Sequence, residues 1–181
     1  MKKTAILFAE GYEEVEALTV VDLLRRAQIG CDIVALGNQL QVAGSHGIVV
    51  RADRLYSQTA FDEYDGLILP GGMPGTKNLA ADENVLKLLQ SFHAAGKLTA
   101  AICAAPTVLA KAGLLTGKNA VCYPGMEAQL SGAKAGVEPV AVDGTVITSR
   151  GIGTAIPFAL ALVQYFNGAE QAEALAKEIV Y

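Results

Sequence analysis

Short apolar runs recur along this chain with helix-like segments between them, and that alternation constrains its fold more than any other feature. Ala5-Ile6-Leu7-Phe8, Cys31 to Leu36, Gly66-Leu67-Ile68-Leu69 and Leu98-Thr99-Ala100-Ala101-Ile102 read as strands. Between the first two, the spacing predicts a helix over Glu13 to Ala27. Its apolar positions Val15, Leu18, Val21 and Leu24 recur every three residues, Arg25-Arg26 suits a helix C-terminus, and Gly30 stops it. A short antiparallel excursion follows through Gln41-Val42-Ala43 and Ile48-Val49-Val50. Further helices are expected over Asn84 to Ala95, through Thr107 to Ala110, and as a final pair, Ala155 to Phe166 and Ala169 to Ile179. Two more short strands are expected near Ala120-Val121 and Thr145-Val146-Ile147. Strands this uniformly apolar belong to a mostly parallel sheet covered by helices on both faces. Ligands of such sheets bind beyond the carboxyl ends of the strands. The ends to watch are Ala9-Glu10-Gly11, Pro70-Gly71-Gly72, Ile102-Cys103-Ala104 and Cys122-Tyr123-Pro124.

The 181 residues fit one domain over positions 1–181, and 52% of them are hydrophobic, too many for a disordered chain. No apolar run approaches the roughly 18 residues that a bilayer-spanning helix needs, so no membrane role is expected. Met1-Lys2-Lys3-Thr4 begins like a signal peptide, but the apolar stretch ends at Glu10 without a cleavage pattern, and it reads as the first strand. The net charge of −4 and the lack of a basic patch argue against nucleic-acid binding. Three widely spaced cysteines, Cys31, Cys103 and Cys122, suit free thiols in a reducing, cytoplasmic setting. They lack zinc-site spacing, and His46 and His93 complete no ligand motif, so neither a metal nor another cofactor is expected.

Cys103 is the residue most suited to chemistry. In Ala100-Ala101-Ile102-Cys103-Ala104-Ala105-Pro106 a strand runs directly into a helix, with alanines where the backbone must turn tightly. This is the logic of a nucleophile elbow, and amides at the helix start would favour the thiolate. Pro70-Gly71-Gly72 ends a neighbouring strand, and its backbone N–H groups could join that of Ala104 in an oxyanion hole. Glu13, Glu14 and Glu16 open the first helix. Helical spacing puts Glu13 and Glu16 on one face and Glu14 on another, so one carboxylate can point into the cleft while another faces solvent. A carboxyl group beside the sulfur would be raised in pKa and could donate a hydrogen bond to it. Gly151-Ile152-Gly153-Thr154 resembles the start of a dinucleotide fingerprint but lacks the third glycine, and reads as a strand-to-helix turn. Cys31 and Cys122 read as core or strand-end thiols, and His93 as a surface residue.

Four segments together carry a family resemblance: Ala101 to Pro106, Leu69-Pro70-Gly71-Gly72, Gly11-Tyr12-Glu13-Glu14-Val15-Glu16, and Thr148 to Thr154. They resemble the ThiJ/PfpI superfamily, most closely the branch of the parkinsonism-associated protein deglycase and its bacterial relatives. The resemblance implies a flavodoxin-like three-layer α/β/α sandwich with a mostly parallel sheet, and a homodimer packed through the first helix. It implies an oxidation-prone cysteine at Cys103, a glutamate hydrogen-bonded to it at Glu16, and oxyanion donors at Gly72 and Ala104. His46 aligns near a position where some relatives place an arginine that reaches across the dimer, and it joins the candidate site residues on that ground. The implied activities are cofactor-free conversion of small 2-oxoaldehydes such as methylglyoxal, repair of glycated substrates, and chaperoning or sensing of oxidative stress through Cys103. Some bacterial members carry an older label in thiazole monophosphate (thiamine) biosynthesis. Ala104 stands where the peptidase branch has histidine, and no histidine follows His93, so neither a Cys-His peptidase nor a glutamine amidotransferase is expected. Tyr123 replaces a histidine found in some relatives. A nucleotide- or flavin-binding role would rest on fold analogy alone.

Overall fold

The computed structural model describes residues 2–181. In chain order the elements are β1 (Lys3–Phe8), α1 (Glu14–Arg26), β2 (Gly30–Ala35), β3 (Gln41–Ala43), β4 (Val49–Arg51), β5 (Arg54–Leu55), β6 (Gly66–Leu69), α2 (Gly75–Ala81), α3 (Glu83–Ala94), β7 (Leu98–Ile102), α4 (Pro106–Lys111), β8 (Asn119–Ala120), β9 (Lys134–Ala135), β10 (Val140–Asp143), β11 (Val146–Ser149), α5 (Ala155–Asn167) and α6 (Ala169–Glu178). The main sheet has the order β10-β11-β7-β6-β1-β2-β5. All its pairings are parallel except β10 with β11.

Alternate residues of the central strands feed two cores. Ile6, Phe8, Ile68, Ala100 and Ile102 pack against α1, α5 and α6 on one face. Ala5, Leu7, Leu67, Leu69 and Ala101 pack against α2, α3 and α4 on the other. With both faces covered, β1, β6 and β7 are apolar except for Lys3, Thr4 and Thr99, the pattern seen in the sequence. The expected three-layer sandwich is therefore present. Among the described residues no helix is long and apolar enough to cross a membrane.

Four local features differ from expectation. Helix α2 fills a stretch to which no element was assigned; its backbone starts from Gly75 N donating to Gly11 O at 3.1 Å and Thr76 N donating to Gly72 O at 2.9 Å. Strand β10 adds an antiparallel edge beside β11. The segment near Ala120 lies outside the main sheet, because β8 pairs with β9 in a separate two-stranded ribbon. The side chain of Thr148 accepts the Val121 amide there at 2.9 Å and ties the ribbon to β11. His93, expected at the surface, is half-buried on α3 with Nδ1 enclosed and unpartnered.

Candidate active site

Cys103 follows the last residue of β7 at the carboxyl edge of the sheet. Its φ is 65°, in the left-handed region that few side chains other than glycine adopt. Two backbone bonds hold it there: its amide donates to Ser149 O at 3.0 Å, and its carbonyl accepts from Tyr123 N at 2.7 Å. It is half-buried, whereas Cys31 and Cys122 are buried. The sulfur meets three groups from separate strand ends, namely the Glu16 side chain and the amides of Gly72 and Ala104. The two amides expected to line an oxyanion hole therefore converge on the sulfur.

Glu16 reaches this point from the first turn of α1. Glu13 is the N-cap of that helix and accepts from the Glu16 amide through its side chain at 2.7 Å. The Glu13 amide donates to Gly71 O at 2.9 Å. The Gly71 amide in turn donates to Glu16 Oε2 at 3.1 Å. A β-carbon at residue 71 would lie 2.5 Å from Cys103 Cβ and 2.6 Å from Glu16 Oε2, so only glycine fits between them. Gly72 has a φ of 91° and lies against the backbone of Tyr12 and Glu13. Pro70-Gly71-Gly72 is thus a junction between the first and third carboxyl ends of the sheet, with Gly71 holding Glu16 and Gly72 meeting the sulfur.

Burial raises the Glu16 carboxyl to about 7, with the Glu13 charge adding to the rise and hydrogen bonds from Cys103 and Gly71 opposing it. Burial, and then the Glu16 carboxylate, push the Cys103 thiol up to about 12 against the pull of the Ala104 and Gly72 amides. The sequence reading expected a thiol made more acidic by backbone amides; here desolvation and a neighbouring negative charge outweigh them. The pair is one titrating unit. With Glu16 raised to about 7 and the thiol raised further by burial and the Glu16 charge, the pair between these values shares one proton and carries one negative charge.

Glu14 behaves unlike its neighbours. It is 2% exposed, not solvent-facing as one of the acidic trio was expected to be. Its carboxylate accepts from the His46 amide at 2.7 Å, Ser45 Oγ at 3.3 Å and the Ile48 amide at 3.4 Å, and pairs with His46 Nδ1 at 2.9 Å. Burial alone would raise it, but these hydrogen bonds hold it down at about 2. His46 is exposed and is raised by the same contact. Its hydrogen bonds go to Glu14 and Ser45 on the β3–β4 side, none to Cys103 or Glu16. Among the described residues Glu13, Glu14 and His46 form the one cluster with metal-ligand donor types, their ligand atoms within 4.8 Å of one another. Their oxygens already cap α1 and hold the hairpin.

Two contacts were not legible as site features. The Tyr123 amide fixes the carbonyl of Cys103, and the Tyr123 ring lies along Gly151: a β-carbon on Gly151 would be 3.6 Å from Tyr123 Cδ2 and 3.9 Å from Glu16 Oε1. Gly71 was named only through its backbone N–H, as one of the candidate oxyanion donors of Pro70-Gly71-Gly72. Its place between two functional side chains has no signature beyond the Gly-Gly pair.

Comparison with known proteins gives a consistent result. The profile of the DJ-1/PfpI family matches residues 2–165. Protein dj-1beta of Drosophila melanogaster is 39% identical over 181 residues, covering 99% of this chain and 97% of that protein. Protein DJ-1 homolog B of Arabidopsis thaliana is 39% identical over 170 residues, 93% of this chain, but the chain spans only 39% of that protein's length. A deglycase of Pyrococcus abyssi is 31% identical over 153 residues, with 82% and 89% of the two chains covered. Among solved structures, oxidized DJ-1 of Toxoplasma gondii superposes with a TM-score of 0.96 at 36% identity, covering 100% of this chain and 99% of that one. Drosophila DJ-1beta superposes with a TM-score of 0.94, covering 99% and 98%.

Proposed function

The chain belongs to the DJ-1/PfpI family, and on that premise we propose that it is a Cys103-dependent stress-response protein acting on 2-oxoaldehydes or glycated substrates. The observation that carries this reading is that Glu16 and Cys103 close on Gly71 from either side, where the Gly71 amide donates to Glu16 Oε2 at 3.1 Å, with the Gly72 and Ala104 amides adjoining the thiol. The resemblance to a protein named as a deglycase supports it. The reactive form is the tautomer with the shared proton on Glu16 and the charge on sulfur, where the two amides face it.

The thiolate attacks the aldehyde carbon of methylglyoxal. A C–S bond forms, and the carbonyl π pair moves to oxygen, where the Gly72 and Ala104 amides hold the charge. The Glu16 proton passes to the new alkoxide, and the freed carboxylate then carries a proton from the former aldehyde carbon to the adjacent ketone carbon through an enediol. The aldehyde carbon is oxidised and its neighbour reduced, so no outside electron acceptor is needed. The resulting thioester takes up one water and releases lactate, restoring the thiol. Purified protein is expected to release lactate from methylglyoxal, and Cys103→Ser is expected to lose the activity. Equal rates for the two proteins would remove the mechanism.

A second reading is favoured by one observation: Cys103 is the half-buried cysteine of the three, and the other two are buried. As a redox sensor it would oxidise to a sulfenate or sulfinate next to Glu16. Mass spectrometry after mild peroxide is expected to place added oxygen on Cys103 ahead of Cys31 and Cys122. The accessory proposals are a homodimer and a reducing, cytoplasmic location. Val15 on α1 is exposed, as are Ile48 and Val49 of the β3–β4 hairpin, and the hairpin is held to α1 by the Ile48 amide donating to Glu14 at 3.4 Å, which supports pairing through the first helix.

A further inference from the structure

We infer that the mouth of the Cys103 cleft is an apolar subsite selecting uncharged carbonyl compounds with an aryl or bulky alkyl substituent, and that the Tyr123 ring is its main wall. The inference deepens the proposed function and rests on Cys103 being the reacting group. Single exposed apolar side chains are ordinary on a protein surface; three that stand on, or next in sequence to, the segments framing one reactive atom are worth testing together. Met73, Tyr123 and Ile152 are 44%, 51% and 55% exposed. Each adjoins the reactive pair by a different route. Met73 follows Gly72, whose amide meets the sulfur. Tyr123 is bonded through its amide to the Cys103 carbonyl at 2.7 Å. Ile152 follows Gly151, beside which the Tyr123 ring carbons and Glu16 Oε1 come within 4 Å of a single point. The ring is therefore anchored to the same backbone that aims the sulfur, and it flanks the carboxyl group that shares the proton.

Electrostatics point the same way. Besides burial, the groups that most affect the sulfur are the Glu16 carboxyl and two neutral amides. The neighbouring Glu13 adds negative charge at Glu16. Arg150 acts on Cys122 instead, and its Nη1 is spent on Val137 O at 3.0 Å. A phosphorylated or carboxylate-bearing substrate would approach a pair that already carries one negative charge, with Glu13 adding to it. An uncharged aryl 2-oxoaldehyde meets no such repulsion and can stack on the ring, a contact worth roughly 2- to 10-fold in affinity.

The test is the rate of Cys103 alkylation by 2-chloroacetophenone, chloroacetone, iodoacetamide and iodoacetate, each divided by the rate for N-acetylcysteine. The site of reaction is identified by mass spectrometry in the full chain and in Tyr123→Ser, Tyr123→Phe and Ile152→Ser. We expect a normalised aryl-over-methyl ratio of about fivefold in the parent chain, kept in Tyr123→Phe, lowered in Ile152→Ser and about threefold or more lower in Tyr123→Ser. Iodoacetate is expected to lag iodoacetamide. A parent ratio equal to that of the free thiol overturns the inference, as does an unchanged ratio in a folded Tyr123→Ser. Alkylation requires no turnover. A chain that forms no lactate but keeps the ratio loses the proposed activity and retains the subsite, and a chain that forms lactate without aryl preference loses the subsite alone.

Discussion

The amide of Gly71 donates to Oε2 of Glu16 at 3.1 Å, and the space beside that bond cannot hold a methyl group. Gly71→Ala would place a carbon 2.6 Å from the same oxygen and 2.5 Å from Cys103 Cβ. Both neighbours are fixed, one by helix α1 and the other by two backbone bonds, so the strain cannot relax locally. We expect a loss of about 1–3 kcal/mol in urea unfolding together with slower Cys103 alkylation. Parent-like stability and reactivity would show that the junction is looser than its geometry.

The shared proton sets a pH dependence. Thiolate is populated only after the pair has lost its first proton, so iodoacetamide labelling of Cys103 should rise through a step centred near pH 7, the position of Glu16. Glu16→Gln removes that step and leaves a single thiol titration. A parent profile without an inflection near neutrality contradicts the pairing.

The same shift has a stability counterpart. Glu16 is raised from 4.5 to about 7 on folding, so its favourable contribution is complete below pH 4.5 and is lost as pH rises through 7. Relative to Glu16→Gln, the parent should lose about 2–3 kcal/mol between pH 5 and pH 8. Denaturant midpoints of the two proteins at both pH values check this, and a constant gap would sink it.

Glu14 has the opposite sign. Its carboxyl is held down at about 2, so its contribution is present above pH 4.5 and fades as pH falls through 2. Glu14→Gln keeps the shape but weakens hydrogen bonds to a charged acceptor, and should cost about 2 kcal/mol at pH 7. The gap to the parent should narrow in strong acid. Denaturant unfolding at pH 7 and pH 3 measures it; no cost at pH 7 would mean the hairpin stands without this tether.

Exposed Val15, Ile48 and Val49 give the proposed dimer a face that a single charge can spoil. Val49→Lys should shift sedimentation from twice the chain mass of 18.8 kDa to one chain, with the circular dichroism spectrum retained. A parent chain that sediments as a monomer at high concentration would rule out the dimer.

The parts of the molecule legible from sequence are those whose cause is local. β1, β6 and β7 could be read because both of their faces are covered and almost every residue is apolar. The Cys103 turn could be read because a strand enters a helix through alanines. Helix α2 was missed because Gly75, Thr76 and Asn78 are weak helix formers, and the segment is started by bonds to Gly11 and Gly72. β10 was missed because a four-residue edge strand with a single fully buried position carries little pattern. The burial of Glu14 depends on partners 31 to 34 residues away, and the rise of the Cys103 thiol depends on desolvation that no spacing encodes. Both are tertiary facts.

The left-handed backbone at residue 103 also separates aim from identity. Main-chain bonds to Ser149 and from Tyr123 fix where the side chain points, whatever atom ends it. Selenium or oxygen placed there would inherit the same trajectory. Exchanging the atom would therefore grade nucleophilicity on a fixed mount, an internal standard that a loop-borne thiol does not offer.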